Sequence, residues 1–242
     1  MRFFIGDVRD KDRLSRSLKG VDYVIMPQHS NISPINLYGA TKMVIDKLFV
    51  SANAYSGSSG TRFTVVHYGN VAGSRVSVIP LFQNIIDGGG KSLPITDYKM
   101  TRFWISLEEG VELVIKALEE SHGGETFISR IPSFRITDLA QAMLPGCEMP
   151  EVGIREGEKL HEVMIRAEDS ARTYEYAKHY IIYPNYSWWW AVSIIPGVKL
   201  VELGFIYSSE TNKEWLSIDE IKARLKTDIE SHDCYCYGES SS

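Results

Sequence analysis

An α/β fold is predicted, in which a parallel sheet carries helices and a smaller, irregular C-terminal lobe follows. Three observations predict it. Apolar and β-branched runs alternate with segments of helical period through the first half of the chain. Glycine-rich turns separate those runs. After Pro145 the periodicity loosens while aromatic residues accumulate at Tyr174, Tyr176, Tyr180, Tyr183, Tyr186 and Trp188-Trp189-Trp190.

Residues 3–8 read as a buried strand and 10–19 as a short charged helix stopped by Gly20. Residues 21–26 are a second strand; 27–34 are polar and turn-like. Residues 37–54 read as a helix with Val44, Leu48 and Ser51/Ala52 near one face, widened by Met43, Ile45 and Phe49. Ser56-Gly57-Ser58-Ser59-Gly60 is a loop. Residues 63–68 are β-branched and aromatic, hence a strand, running into Gly69-Asn70-Val71. Residues 78–87 form a helix closed by Gly88-Gly89-Gly90. Residues 107–120 form an amphipathic helix with Val111, Val114, Ile115 and Leu118 at helical spacing. Residues 125–128 are a short strand, and 137–143 a helix capped by Thr137 or Asp138. The expected organisation is a sheet domain over 1–145, a smaller substrate lobe over 146–230 and a disordered tail over 231–242.

The 242 residues are 44% hydrophobic and 24% charged, ordinary for one large domain or a domain with a small lobe. A formal charge of −5 gives no reason to expect a nucleic-acid partner. Any anionic ligand falls to a few placed cations and backbone amides. Three cysteines, Cys147, Cys234 and Cys236, make no disulfide framework, and a reducing cytoplasm is the expected compartment. The Cys234/Cys236 pair lacks the further ligands a metal would need. No apolar run approaches the roughly 18 residues that span a bilayer, so no membrane partner is expected. The first six residues do not read as a signal peptide.

In open α/β sheets ligands bind beyond the carboxyl ends of the strands. Tyr38 and Lys42 stand four apart at a helix start and share a face. A nearby ammonium favours phenolate. A phenol tuned this way can remove a hydroxyl proton while a hydride leaves the same carbon, and the same lysine can bond a ribose; on spacing alone the two residues read equally as a solvated pair. Asp7 follows a strand; its carboxylate can accept from an adenine amino group while Val8 offers its backbone amide, or it can cap the next turn. Arg155 can grip a diphosphate with a forked guanidinium and Glu158 can accept from ribose hydroxyls, unless their loop is simply a solvated charged turn. Asn70 contacts substrate or stabilises a turn. His161-Glu162 is no zinc motif, because no second histidine follows at helical spacing. The triple tryptophan reads as lobe packing or an interface.

Four blocks carry a specific resemblance: Ser33-Pro34-Ile35-Asn36-Leu37-Tyr38-Gly39-Ala40-Thr41-Lys42, Tyr68-Gly69-Asn70-Val71-Ala72-Gly73-Ser74-Arg75, Met100-Thr101-Arg102-Phe103-Trp104 and residues 153–162. In this order they resemble the bacterial UDP-N-acetylglucosamine 4,6-dehydratases, which are extended short-chain dehydrogenases/reductases. The resemblance implies an incomplete Rossmann-like (doubly wound) sheet, bound NADP and a UDP-sugar substrate. It also implies transient oxidation at sugar C4, loss of water across C5 and C6, and return of hydride at C6. On the matching positions it makes Tyr38 and Lys42 catalytic. Asp7, Val8, Tyr38, Lys42 and Tyr68 become cofactor-binding, and Asn70, Thr101, Arg102, Arg155 and Glu158 substrate-binding.

The sequence departs from that family in places. No glycine-rich G-x-x-G-x-x-G segment precedes Asp7, so the chain reads as starting at the third strand of the parent fold. Residues 27–33 replace a helix and strand, and Gln28, His29 and Ser30 stand where the family's Thr-Asp-Lys handles the elimination. His67 stands where the family usually has Arg, and Val76 where it usually has Gly. With three strands of the parent order missing, those retained must close up into a new sheet, pair with another chain as a homo-oligomer, or stay poorly ordered. The functional expectation is an NADP-dependent UDP-N-acetylglucosamine 4,6-dehydratase-like protein. The alternative is a non-catalytic relative that binds a UDP-sugar or a subunit.

Overall fold

The computed structural model describes residues 10–29, 37–56, 60–72, 77–155, 157–185 and 198–236. The strand expected at 3–8 lies outside them. Helix α1 (Lys11–Ser17) starts where Asp10 accepts from the Arg13 amide at 3.0 Å. Strand β1 (Tyr23–His29), helix α2 (Leu37–Ser56) and strand β2 (Arg62–Tyr68) follow.

The two strands pair directly and in parallel over seven residues, from Tyr23↔Arg62 to His29↔Tyr68. Closure into a new sheet, the first of the three outcomes expected from the missing strands, is what these two strands adopt. This pairing also overturns the turn reading for residues 27–29, since Pro27, Gln28 and His29 complete β1; residues 30–34 lie outside the described residues. Proline is tolerated there because β1 is the sheet's edge among the described residues.

Strand β3 (Asn70–Val71), helix α3 (Val78–Asp87), strand β4 (Thr101–Ile105) and helix α4 (Leu107–Glu120) come next. Ser106 and Glu109 make a capping box at the start of α4: the Glu109 amide donates to Ser106 Oγ (3.1 Å) and the Ser106 amide to Glu109 Oε2 (2.8 Å). Strands β5 (Thr126–Ser129) and β6 (Ser133–Arg135) lead into helix α5 (Ile136–Met143). Arg135 takes the N-cap position of α5 without a side-chain cap bond, so neither Thr137 nor Asp138 is the cap. The remaining elements are β7 (Val163–Ile165), a 3-10 turn (Ala167–Arg172), β8 (Thr173–Glu175), β9 (His179–Ile182), β10 (Lys199–Leu200), β11 (Tyr207–Ser208) and α6 (Ile218–Cys236).

The main sheet runs β1-β2-β5-β9-β8-β10, parallel through β5 and antiparallel beyond it. It therefore extends across the boundary expected at residue 145. A second sheet sets β3 parallel and β6 antiparallel to β4, and β7 pairs with β11. Helix α6 runs through residues 231–236. Buried Ile221 and its neighbour Leu225 seat the helix in the core around Trp104.

Helices α2 and α4 each turn a different face inward from the one their apolar pattern suggests. On α2 the inward positions are Gly39, Met43, Asp46, Val50 and Asn53, while Val44 and Leu48 are exposed. On α4 the buried positions are Gly110, Leu113 and Ala117; Val111, Ile115 and Leu118 face outward. Small residues let α4 approach the sheet, where Leu113 and Ala117 pack with Val66, Phe127 and Ile181.

Candidate functional site

A cleft of about 570 Å3 opens beside the second sheet. Trp104 and Phe134, in edge contact at 5.3 Å, contribute its apolar side. The first turn of α3 supplies Ser77 to Leu81 along another wall. Asn70, Arg102, Arg155 and Glu158 complete the polar lining. They come from β3, β4 and the loop at 153–158, so three separated segments bring together four of the five residues predicted to contact substrate.

Local sequence explains each placement. Gly69 links β2 to β3, and a Cβ there would lie 2.7 Å from Phe103 Cβ and 2.8 Å from Ile131 Cδ1. Only glycine fits the close crossing that carries Asn70 to the cleft. The loop turns at Gly153 and Gly157, both at positive φ (84° and 79°). It closes on itself: the Glu158 amide donates to the Arg155 carbonyl at 3.0 Å, and the Arg155 amide lies 3.4 Å from Glu158 Oε2.

Arg102 borders the cleft, but main-chain oxygens occupy its guanidinium. Nη1 donates to the carbonyls of Thr101 (2.8 Å) and Leu160 (3.1 Å), and Nη2 to that of Lys159 (2.9 Å). Its Nε stands 3.9 Å from Glu162 Oε1. Arg102 therefore fastens the loop that bears Arg155 and Glu158. Thr101 lies buried outside the cleft lining, its Oγ1 bonded to His161 Nδ1 (2.8 Å) and Ser209 Oγ (2.7 Å).

Helix α2 approaches the same region from the main sheet. Arg166 Nη2 lies 3.0 Å from Met43 Sδ, and its Nε is buried without a hydrogen-bond partner. Burial lowers the Lys159 pKa, Glu162 raises it, and the positive charges of Arg102, Arg166 and Lys42 lower it further. Lys42 and Arg102 thus both lie within electrostatic reach of Lys159. Tyr38 belongs to the first turn of α2, and its side chain lies outside the described residues, as do Asp7 and Val8. Tyr68 ends β2 half-buried, away from the cleft lining, and burial pushes its phenol pKa up.

Sequence reasoning missed a buried polar group beneath α2. Gln28 Nε2 donates to Asp46 Oδ1, and His67 Nε2 lies 3.1 Å from Asp46 Oδ2 and 3.1 Å from Gln28 Nε2. The signal available was Asp46 itself, one further i+4 step along the face that carries Tyr38 and Lys42. Among the described residues no cluster of His, Cys, Asp or Glu could hold a metal ion, and no helix is long and apolar enough to cross a membrane.

Residues 24–184 match the family described as polysaccharide biosynthesis protein. The chain is 42% identical over 271 aligned positions to a protein of Campylobacter jejuni named UDP-N-acetylglucosamine 4,6-dehydratase (inverting), covering 91% of this chain and 81% of the relative. Those 271 positions exceed the 242 residues here, so the relative carries segments within the aligned span that this chain lacks. Identity to a UDP-glucose 4-epimerase of Rickettsia conorii is 30%, over 94% of this chain and 80% of that one. Among solved structures, Pen from Bacillus thuringiensis matches with a TM-score of 0.77 at 30% identity, over 90% of this chain and 66% of that one. A dTDP-glucose 4,6-dehydratase from Bacillus anthracis in complex with NAD matches with a TM-score of 0.51 at 13% identity, over 63% and 67%, a likeness of fold alone. The α/β, Rossmann-like class expected from the sequence is thereby borne out.

Proposed function

The chain belongs to the polysaccharide biosynthesis protein family, and from that membership we propose that it is a UDP-N-acetylglucosamine 4,6-dehydratase-type protein whose nucleotide-sugar site is the cleft. The observation that carries this reading is the convergence of Asn70, Arg102, Arg155 and Glu158 on that one cleft.

In this reading Arg155 grips the diphosphate, Glu158 accepts from the uridine ribose hydroxyls, and Asn70 meets the sugar. Tyr38 takes the proton from the sugar C4 hydroxyl, and the Lys42 ammonium stabilises the phenolate that does so. In this reading Tyr38 and Lys42, at the start of α2, and Tyr68, at the carboxyl end of β2, would hold the nicotinamide–ribose end of a dinucleotide. The adenine contacts assigned to Asp7 and Val8 lie outside the described residues, and no glycine-rich strand-to-helix turn occurs among the described ones. When bound, such a cofactor supplies hydride acceptance and return; we assign it as NADP. A cytoplasmic location and a homo-oligomer belong to the same proposal, the second supported by β1 having a strand partner on one side only among the described residues.

One observation favours the second reading, a UDP-sugar-binding relative without dehydratase activity. Gln28, which stands where the family has its elimination residues, is committed to Asp46 and His67. Calorimetry with UDP and product NMR with UDP-N-acetylglucosamine separate the readings. A 4-keto-6-deoxy sugar product supports the dehydratase. UDP binding without product supports the binding relative. No UDP binding sinks both.

A further inference from the structure

We infer that Asp46 is a positioning residue for the Tyr38–Lys42 pair, clamping α2 across the seam between β1 and β2. The inference rests on the role given to that pair above. Positions 38, 42 and 46 are successive i+4 steps, each turning about 40° past a full circle, so they share one face of α2. Asp46 is 8% exposed and His67 3% exposed, so neither carboxylate nor imidazole is held by bulk water.

The carboxylate straddles two strands. Oδ1 accepts from Gln28 on β1, and Oδ2 lies 3.1 Å from His67 Nε2 on β2. Gln28 and His67 are themselves register partners. A buried carboxylate stripped of partners is costly, so α2 cannot rotate or slide by one residue without losing this arrangement. The clamp sits one turn from Lys42. A second attachment at the far end of the helix offers a natural contrast: Asn53 Oδ1 accepts from the Phe63 amide at 2.9 Å, and its Nδ2 donates to the Phe63 carbonyl at 2.9 Å. Asn53 lies about 16 Å along the axis from Lys42, too far to set the rotation of the first turn. Gln28 and His67, two positions that differ from the resembled family, thereby acquire a joint role in holding this helix.

The test uses Asp46→Ala, Asp46→Asn and Asn53→Ala in the full chain. Three quantities are read: the NMR titration of the Tyr38 phenol (assigned with Tyr38→Phe), UDP affinity, and turnover of UDP-N-acetylglucosamine. In the unmodified chain Tyr38 is expected to titrate below the ordinary value of about 10. Asp46→Ala should move it back towards that value and lower turnover about 100-fold, as for a misplaced catalytic group, with UDP affinity kept. Asp46→Asn retains an acceptor for Gln28 and should recover most of both. Asn53→Ala should lower the melting temperature while leaving the Tyr38 titration in place. The inference is overturned if Asp46→Ala leaves Tyr38 unmoved, or if Asn53→Ala moves it equally. An ordinary Tyr38 titration in the unmodified chain overturns it together with the Tyr38–Lys42 pair. Loss of UDP binding alone sinks the cleft assignment and leaves the phenol titration to decide Asp46.

Discussion

Arg102 and Arg155 line the same cleft, and truncating them should cause different failures. Arg155 is exposed, so Arg155→Ala should weaken UDP binding by roughly 10- to 100-fold, the range for a lost charge-assisted hydrogen bond, with little change in melting temperature. Arg102 donates to three carbonyls, and Arg102→Ala should strand them and loosen the 153–162 loop. Both UDP affinity and melting temperature should then fall, as calorimetry and thermal unfolding would read. Equal melting temperatures for the two variants would contradict the fastening role of Arg102. Placement was legible for Arg155 and Glu158, which both line the cleft. It was not legible for Thr101, which is buried beside His161 and Ser209, 60 and 108 positions further along the chain.

Helices α3 and α4 occupy the spans expected from the sequence, to the residue, because Gly88 and the Ser106–Glu109 box end and start them locally. The inward faces of α2 and α4 were not legible. A sheet that accepts small or polar residues selects Ala117 and Asp46 over the larger apolar side chains nearby. Strand β9 offers an element-scale test through His179. Its ring is buried, stacked on Tyr176 at 4.7 Å, and neither ring nitrogen has a hydrogen-bond partner. Burial and the charge of Lys116 lower its pKa to about 4, against a smaller opposing pull from Glu120. Between about pH 6.5 and 4 the unfolded chain binds the proton that the folded chain refuses. This group's stability is therefore whole above pH 6.5 and is lost as pH falls towards 4. At pH 5 the loss should be about 2 kcal/mol relative to pH 7. Urea unfolding of the unmodified chain and His179→Phe at both values checks this: the pH dependence of the variant should be flatter by that amount.

At the scale of the whole molecule, β1 meets β2 directly and the sheet still keeps a centre. Which pair of strands would meet was not legible in the sequence. Non-local pairing is decided by which faces can be covered. Here β2 accepts β1 on one side and β5 on the other, while α2 and α4 cover its two faces. Residues 64–67 of β2 and all of β5 are consequently buried, whereas β1 and β10 have partners on one side only among the described residues. Amides open by local or global unfolding, and those needing the largest opening exchange slowest. Hydrogen exchange should therefore be slowest at Val65, Val66, Phe127 and Ile128, faster along β1, and fastest at β10. Saturating UDP should slow exchange in the 153–162 loop more than in β2, since the ligand meets the loop directly and the strand only through global stability. If β1 proved as slow as β2, a further strand or a second copy of the chain would have to cover its open edge. The closed-up sheet would then be one part of a larger one.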